Sequence, residues 1–170
     1  MKPKPTGHFL MKADGLYLQF DRLFRAPIED VWFSITNPGF LSRWIGTYTG
    51  SPATGGVRFK MTAEGEDAPW ENVAILECDP PHRFHLDVGE APDGWRMHCH
   101  LVEASHMTTL TLAQRMLDPA AAADMGPGWD YYLDRLEAAR ERAPMPVWDD
   151  YYPAFSRYYR ELHVPEPARG

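Results

Sequence analysis

Apolar and polar residues alternate with a period of two from Gly15. Leu16, Leu18 and Phe20 fall on one side and Tyr17, Gln19 and Asp21 on the other, which predicts a strand running into Phe24-Arg25-Ala26. Pro27 stops that strand and suits the first position of a helix, with Glu29 and Asp30 in the first turn to complement the helix dipole. Ile28, Val31, Trp32 and Ile35 then recur at helical spacing. Asn37-Pro38-Gly39 breaks the helix, and a short second one carries Phe40, Leu41 and Trp44. A period of two returns at Val57–Thr62, where Val57, Phe59 and Met61 alternate with Arg58 and Lys60. Further strands are predicted at about Trp70–Cys78, Arg83–Val88, Gly94–Glu103 and Thr108–Arg115. They are separated by the turn Asp79-Pro80-Pro81 and by the connection Gly89–Gly94.

After Gly126-Pro127-Gly128 the period lengthens to 3.6. Trp129, Tyr132, Leu133, Leu136 and Ala143 share one face of a long helix that Pro144 and Pro146 end. Tyr151, Phe155, Tyr158/Tyr159 and Leu162 form another periodic set in the tail. Strand, two short helices, five or six antiparallel strands and a long helix make an α+β sandwich with helices on one face of the sheet. The divisions are an N-terminal arm at 1–14, one domain at 15–143 and an aromatic extension at 144–170. With 170 residues the chain is long enough for one core and too short for two full ones.

Composition narrows the function. The 17 basic and 24 acidic residues leave a net charge of −7, without a Lys/Arg run, which argues against nucleic acid and against an anionic membrane surface as partners. Met1-Lys-Pro-Lys-Pro5 lacks the apolar stretch of a signal peptide, and no segment reaches transmembrane length, so a cytoplasmic protein is expected. Two cysteines, Cys78 and Cys99, without a CxxC motif, exclude a disulfide framework and a Cys-rich zinc module.

Several segments resemble the Hsp90-ATPase-activator-like branch of the START/Bet v 1 superfamily. They are Phe24-Arg25-Ala26-Pro27-Ile28-Glu29-Asp30-Val31-Trp32, Thr36-Asn37-Pro38 with Arg43-Trp44, Gly55-Gly56-Val57-Arg58-Phe59, Asp79-Pro80-Pro81-His82-Arg83-Phe84, Leu110-Thr111-Leu112 and Gly128-Trp129. The resemblance implies a helix-grip fold, in which a curved, seven-stranded antiparallel sheet wraps a long C-terminal helix around a cavity. Relatives bind hydrophobic ligands, cyclise polyketides or stimulate a chaperone ATPase, and fold alone does not choose among these.

Strand parity sorts the chemistry. With Val88 opposite Trp95, the hairpin puts Leu86 against Met97 and Phe84 against Cys99 on an apolar side. Asp87 then meets Arg96, His85 meets His98 and Arg83 meets His100 on a polar side. The histidines therefore face outward. His98-Cys99-His100 with His85 opposite has the residue types of a metal site. The outer face of an open sheet offers no dry pocket, however, and Arg83 and Arg96 add like charge, so no metal or other cofactor is expected. Glu77 and Cys78 receive no face, because Ala74–Cys78 is apolar on both. The expected ligand-binding residues are Trp44, Phe59, Met61, Phe84, Leu86, Trp95, Met97, Leu110, Leu112, Trp129 and Leu133, with Tyr132 and Cys99 as polar handles. No catalytic residues are expected, since GxSxG, HExxH, P-loop and GxGxxG motifs are absent. The reading is noncatalytic binding of a small, largely hydrophobic molecule. The alternatives are a cyclase or lyase using the same cavity, and a chaperone-cofactor-like interaction module. Trp148, Tyr151, Tyr152, Phe155, Tyr158 and Tyr159 are expected to cover their own domain, with a homodimer contact or a lid as the alternative.

Overall fold

The computed structural model describes residues 2–90 and 93–167. Met1, residues Ala91 and Pro92 of the predicted hairpin connection, and residues 168–170 of the aromatic extension lie outside the described residues. The strands are β1 His8–Lys12, β2 Gly15–Phe24, β3 Thr47–Thr49, β4 Gly56–Lys60, β5 Trp70–Asp79, β6 Arg83–Val88, β7 Trp95–Ala104 and β8 Met107–Arg115. They are ordered β1-β2-β8-β7-β6-β5-β4-β3 in one sheet. The helices are α1 Ile28–Thr36, α2 Pro38–Leu41, α3 Ala122–Glu141 and α4 Ser156–Arg160. An antiparallel sheet followed by a long C-terminal helix is an α+β fold of the helix-grip class.

The sheet has eight strands among the described residues, where seven were implied. His8–Lys12, within the expected N-terminal arm, pairs with β2, with Phe9 opposite Leu18 and Met11 opposite Leu16. Thr47–Thr49 pairs with β4, with Tyr48 opposite Phe59. Segments of five and three residues are too short for alternation to mark them; pairing with a longer neighbour makes them strands.

The chain forms two compact units, one from residues Arg22–Leu112 and one from the described residues up to Asp21 and from Ala113 onward. In the first, contacts distant in sequence fix α1. Pro27 supplies no capping side chain, and Glu103 accepts the Ile28 N–H at 3.0 Å, placing a carboxylate at the positive end of the helix. At the other end Trp44 Nε1–H donates to the Ser34 carbonyl at 2.9 Å, and the Tyr48 hydroxyl donates to the Thr36 carbonyl at 2.6 Å. The buried Thr108 hydroxyl donates to the Ala26 carbonyl at 2.8 Å.

In the other unit α3 starts at Ala122, six residues ahead of the expected start at Gly128, so Pro127 lies inside the helix. A proline there removes an N–H and ordinarily costs about 3 kcal/mol. The carbonyl that would have accepted that N–H belongs to Ala123, and the Ser156 hydroxyl of α4 donates to it at 3.0 Å. Gly126 makes room for the same segment, since a Cβ there would fall 2.5 Å from the Tyr159 ring. One turn further along α3, Asp130 is 0% exposed. Its carboxylate accepts from the Thr6 hydroxyl at 2.6 Å, from the Thr6 N–H at 3.2 Å and from the Tyr159 hydroxyl. Tyr159 Oη accepts the Gly7 N–H at 3.0 Å, and Tyr158 donates to the Gly7 carbonyl at 2.9 Å. Burial and the Asp130 charge push the Tyr159 phenol far up, so it remains a donor. Tyr151 and Phe155 are also buried, and Tyr151 donates to Asp134 at 2.5 Å. The aromatic extension thus packs within its own unit.

Tyr159→Phe deletes the donor to Asp130 and the acceptor of Gly7 while keeping the ring. It should cost about 1–3 kcal/mol, because buried partners of a charged group are left unsatisfied. For a chain of this size the melting temperature should fall by roughly 2–4 °C per kcal/mol, measurable by calorimetry. An unchanged melting temperature would mean that the network adds no stability.

Candidate ligand-binding face

The register of β3 to β7 assembles one apolar face within the Arg22–Leu112 unit. Val88 lies opposite Trp95, Leu86 opposite Met97 and Phe84 opposite Cys99. Directly opposed residues of antiparallel strands point the same way. The face therefore continues through Val73 opposite Val88 and Ile75 opposite Leu86, and through Val57 opposite Val73. Between Ile75 and Glu77 the register shifts. Leu76 is the extra residue of this bulge and is 52% exposed, which explains an apolar residue that fits neither face. Beyond the bulge Cys78 pairs with Phe84 and Glu77 with His85, so the shift assigns both residues the faces that alternation alone left open.

Burial along this face is uneven. Val73, Met97, Cys99 and Leu101 are buried. Val57, Phe59, Ile75, Phe84, Leu86, Val88 and Trp95 remain only half-buried. A close-packed core would cover them. Apolar surface left wet forgoes roughly 25 cal/mol for each Å². The Phe84 ring meets Trp32 of α1 edge-on at 5.7 Å between centroids, so α1 covers that end of the face.

Phe59, Phe84, Leu86, Trp95 and Met97 therefore share a surface. Trp44 is buried, with its indole N–H held by α1. Met61 lies just beyond β4, where a single turn of 3-10 helix begins, and is half-buried. Leu110 and Leu112 are buried on β8. Trp129 and Leu133 are buried on α3, where Trp129 Nε1–H donates to Gln114 at 2.6 Å.

Two polar residues on the face did not emerge from the sequence reading. Glu71 lies opposite Phe59, and Tyr48 lies opposite Phe59 from the other side, forming a row Tyr48–Phe59–Glu71. The parity of Val73 and Ile75 would have placed Glu71 here; Tyr48 sits in a strand too short to show parity. Burial, with a smaller contribution from Cys78, pushes the Tyr48 phenol up, so it stays protonated and bonded to Thr36. Burial also raises the thiol of Cys99 strongly and that of Cys78 more modestly, with Asp79 adding to the latter. Neither thiol is set up as a nucleophile.

An antiparallel sheet with one apolar, half-buried face, followed by a long helix, defines a helix-grip protein. Residues 25–141 match the Activator of Hsp90 ATPase homolog 1-like proteins, and the chain belongs to that family. Its fold is similar to that of CalU16 from Micromonospora echinospora, with 21% identity, 95% of each chain covered and a TM-score of 0.69. A Bordetella parapertussis protein solved in solution matches over 99% of this chain and 96% of its own, at 21% identity and a TM-score of 0.74. DynU16, a protein of the dynemicin biosynthetic locus, matches over 81% of this chain and 50% of its own, at 18% identity and a TM-score of 0.61. Likeness at these identities shows the fold. No curated protein matches the chain in sequence.

Cys78 is exposed and Cys99 buried. A thiol reagent should therefore modify Cys78 alone in the folded protein. The thiolate is the reactive form and the Cys78 pKa is raised, so the rate should reach half its maximum above the ordinary thiol value. Cys99 should react only on unfolding. Mass spectrometry of the labelled protein across a pH series checks both.

Proposed function

We propose that this protein binds a small, largely hydrophobic molecule noncatalytically on the apolar face of β4–β7. The observation that carries this reading is the half-burial of Phe59, Phe84, Leu86, Val88 and Trp95 on a face where Val73, Met97, Cys99 and Leu101 are buried. A ligand laid on these side chains would remove the remaining apolar surface from water, and burying one such side chain fully is worth about 1.5–3 kcal/mol. The row Tyr48–Phe59–Glu71 adds a few polar groups at one border, which suits the composition of small-molecule sites. Neither cysteine supports covalent catalysis, for the reasons given above. The place of DynU16 in a biosynthetic locus is consistent with a small-molecule ligand for this fold.

The fluorescent probe 1-anilinonaphthalene-8-sulfonate tests the reading, because it is apolar and carries one negative charge. It should bind the folded protein with enhanced fluorescence. Leu86→Ala should weaken binding about tenfold, since it removes contact area equivalent to roughly 1.4 kcal/mol. Trp148→Ala, in the other unit, should leave it unchanged. Glu71→Gln should tighten binding several-fold by removing a like charge beside the anionic probe. Absence of binding, or equal binding by the Leu86→Ala protein, would overturn the proposal.

A further inference from the structure

The opposite face of β5–β7 carries a cluster that ligand binding does not use. His85 of β6 and His100 of β7 bring their Nε2 atoms to 2.9 Å from each other. His98 stacks on His85 with ring centres 3.8 Å apart and planes 17° from parallel, which restricts the His85 ring. On its other side, His85 Nδ1 lies 3.5 Å from Glu77 Oε2, while Glu77 Oε1 accepts from Arg83 Nε at 2.5 Å. The hydrogen bond from Arg83 thus fixes the Glu77 carboxylate beside His85. An ionised carboxylate at Nδ1 favours the tautomer with the proton there. That leaves the His85 Nε2 lone pair facing His100.

We propose that His85 and His100 form a chelating site for an imidazole-preferring divalent transition metal of the zinc or copper class. Two imidazole nitrogens converge from neighbouring strands, and one of them has the carboxylate partner at its second nitrogen that metal-bound histidines characteristically have. Two metal–nitrogen bonds of about 2.0–2.1 Å in tetrahedral arrangement set the nitrogens about 3.3 Å apart, so the rings, which now lie nearly coplanar and end to end with centres 5.2 Å apart, must separate by a few tenths of an ångström and each turn by roughly 35° about its side-chain torsions. The metal takes the place of the contact between the two ring nitrogens. The arginines that weighed against a metal are paired within the same cluster. Arg83 is held by Glu77 with Asp79 at 4.0 Å, and Arg96 is held by Asp87 through two bonds of 2.9 and 3.0 Å. Among the described residues no three or more His, Cys, Asp or Glu side chains converge to hold a metal, so the site has two protein ligands and its other positions go to water. The bound metal would tie β6 to β7 across the sheet.

The test is Zn²⁺ titration of the tag-free protein by calorimetry in a non-chelating buffer, with Cu²⁺ as a spectroscopic probe. One Zn²⁺ should bind per chain. Cu²⁺ should show coupling to two nitrogens in its paramagnetic resonance spectrum. His85→Gln and His100→Gln should each weaken binding at least tenfold, and Glu77→Gln about tenfold through the lost orienting carboxylate. His82→Gln with His106→Gln should bind as the unaltered protein does. Zn²⁺ should raise the melting temperature of the unaltered protein and not that of His100→Gln. Melting of each variant without metal separates loss of a ligand from loss of the fold. Failure of the unaltered protein to bind either ion, or undiminished binding by the His85→Gln/His100→Gln protein, would overturn the proposal.

Discussion

The side-chain alternation of β6 and β7, locked by their pairing, governs the chemistry on both faces of the sheet. With Leu86 against Met97, every second residue of the hairpin joins the apolar face and every intervening one joins the outer face. A slip by one position would mix Phe84, Leu86 and Val88 with Arg96, His98 and His100. Such a slip would bury charges at the cost of apolar contacts, so the register is strongly specified. The bulge at Leu76 carries the same separation into β5. It hands Cys78 to the apolar face and Glu77 to the outer one, where Glu77 meets both Arg83 and His85. One extra residue thus decides which groups surround the histidine pair.

A second constraint operates in the unit containing α3. A buried carboxylate is tolerable only when its lone pairs are satisfied. Asp130 meets that condition through Thr6 from the chain's beginning and Tyr159 from near its end. The helix interruption at Pro127 is answered by the same segment, since Ser156 takes up the orphaned carbonyl and Tyr159 fills the space over Gly126. The aromatic extension is therefore part of the packing of this unit, not an appendage to it.

Membership of the Activator of Hsp90 ATPase homolog 1-like family and likeness to CalU16 establish the architecture, and an architecture of this kind accommodates several activities. In this chain β4–β7 carry half-buried apolar residues on one face, with Tyr48 and Glu71 in one row across Phe59. On the proposed binding face, affinity would come from the area covered, with the polar row available for orientation.

The sequence by itself determined the order of the main elements, the parity of the β6–β7 hairpin and the outward placement of His85, His98 and His100, because period-two alternation is a local property of the chain. It also determined that Phe59, Phe84, Leu86, Trp95 and Met97 belong together. The short strands β1 and β3 were beyond it, since a strand of three to five residues exists through its partner and not through its own pattern. So was the start of α3, where a proline that locally ends a helix is accommodated by a hydroxyl some thirty positions away. The bulge at Leu76 and the convergence of two imidazole nitrogens likewise depend on how neighbouring strands pair. Tertiary structure decided each of these, because a hydrogen bond or ring contact between distant residues leaves no periodic mark on either segment.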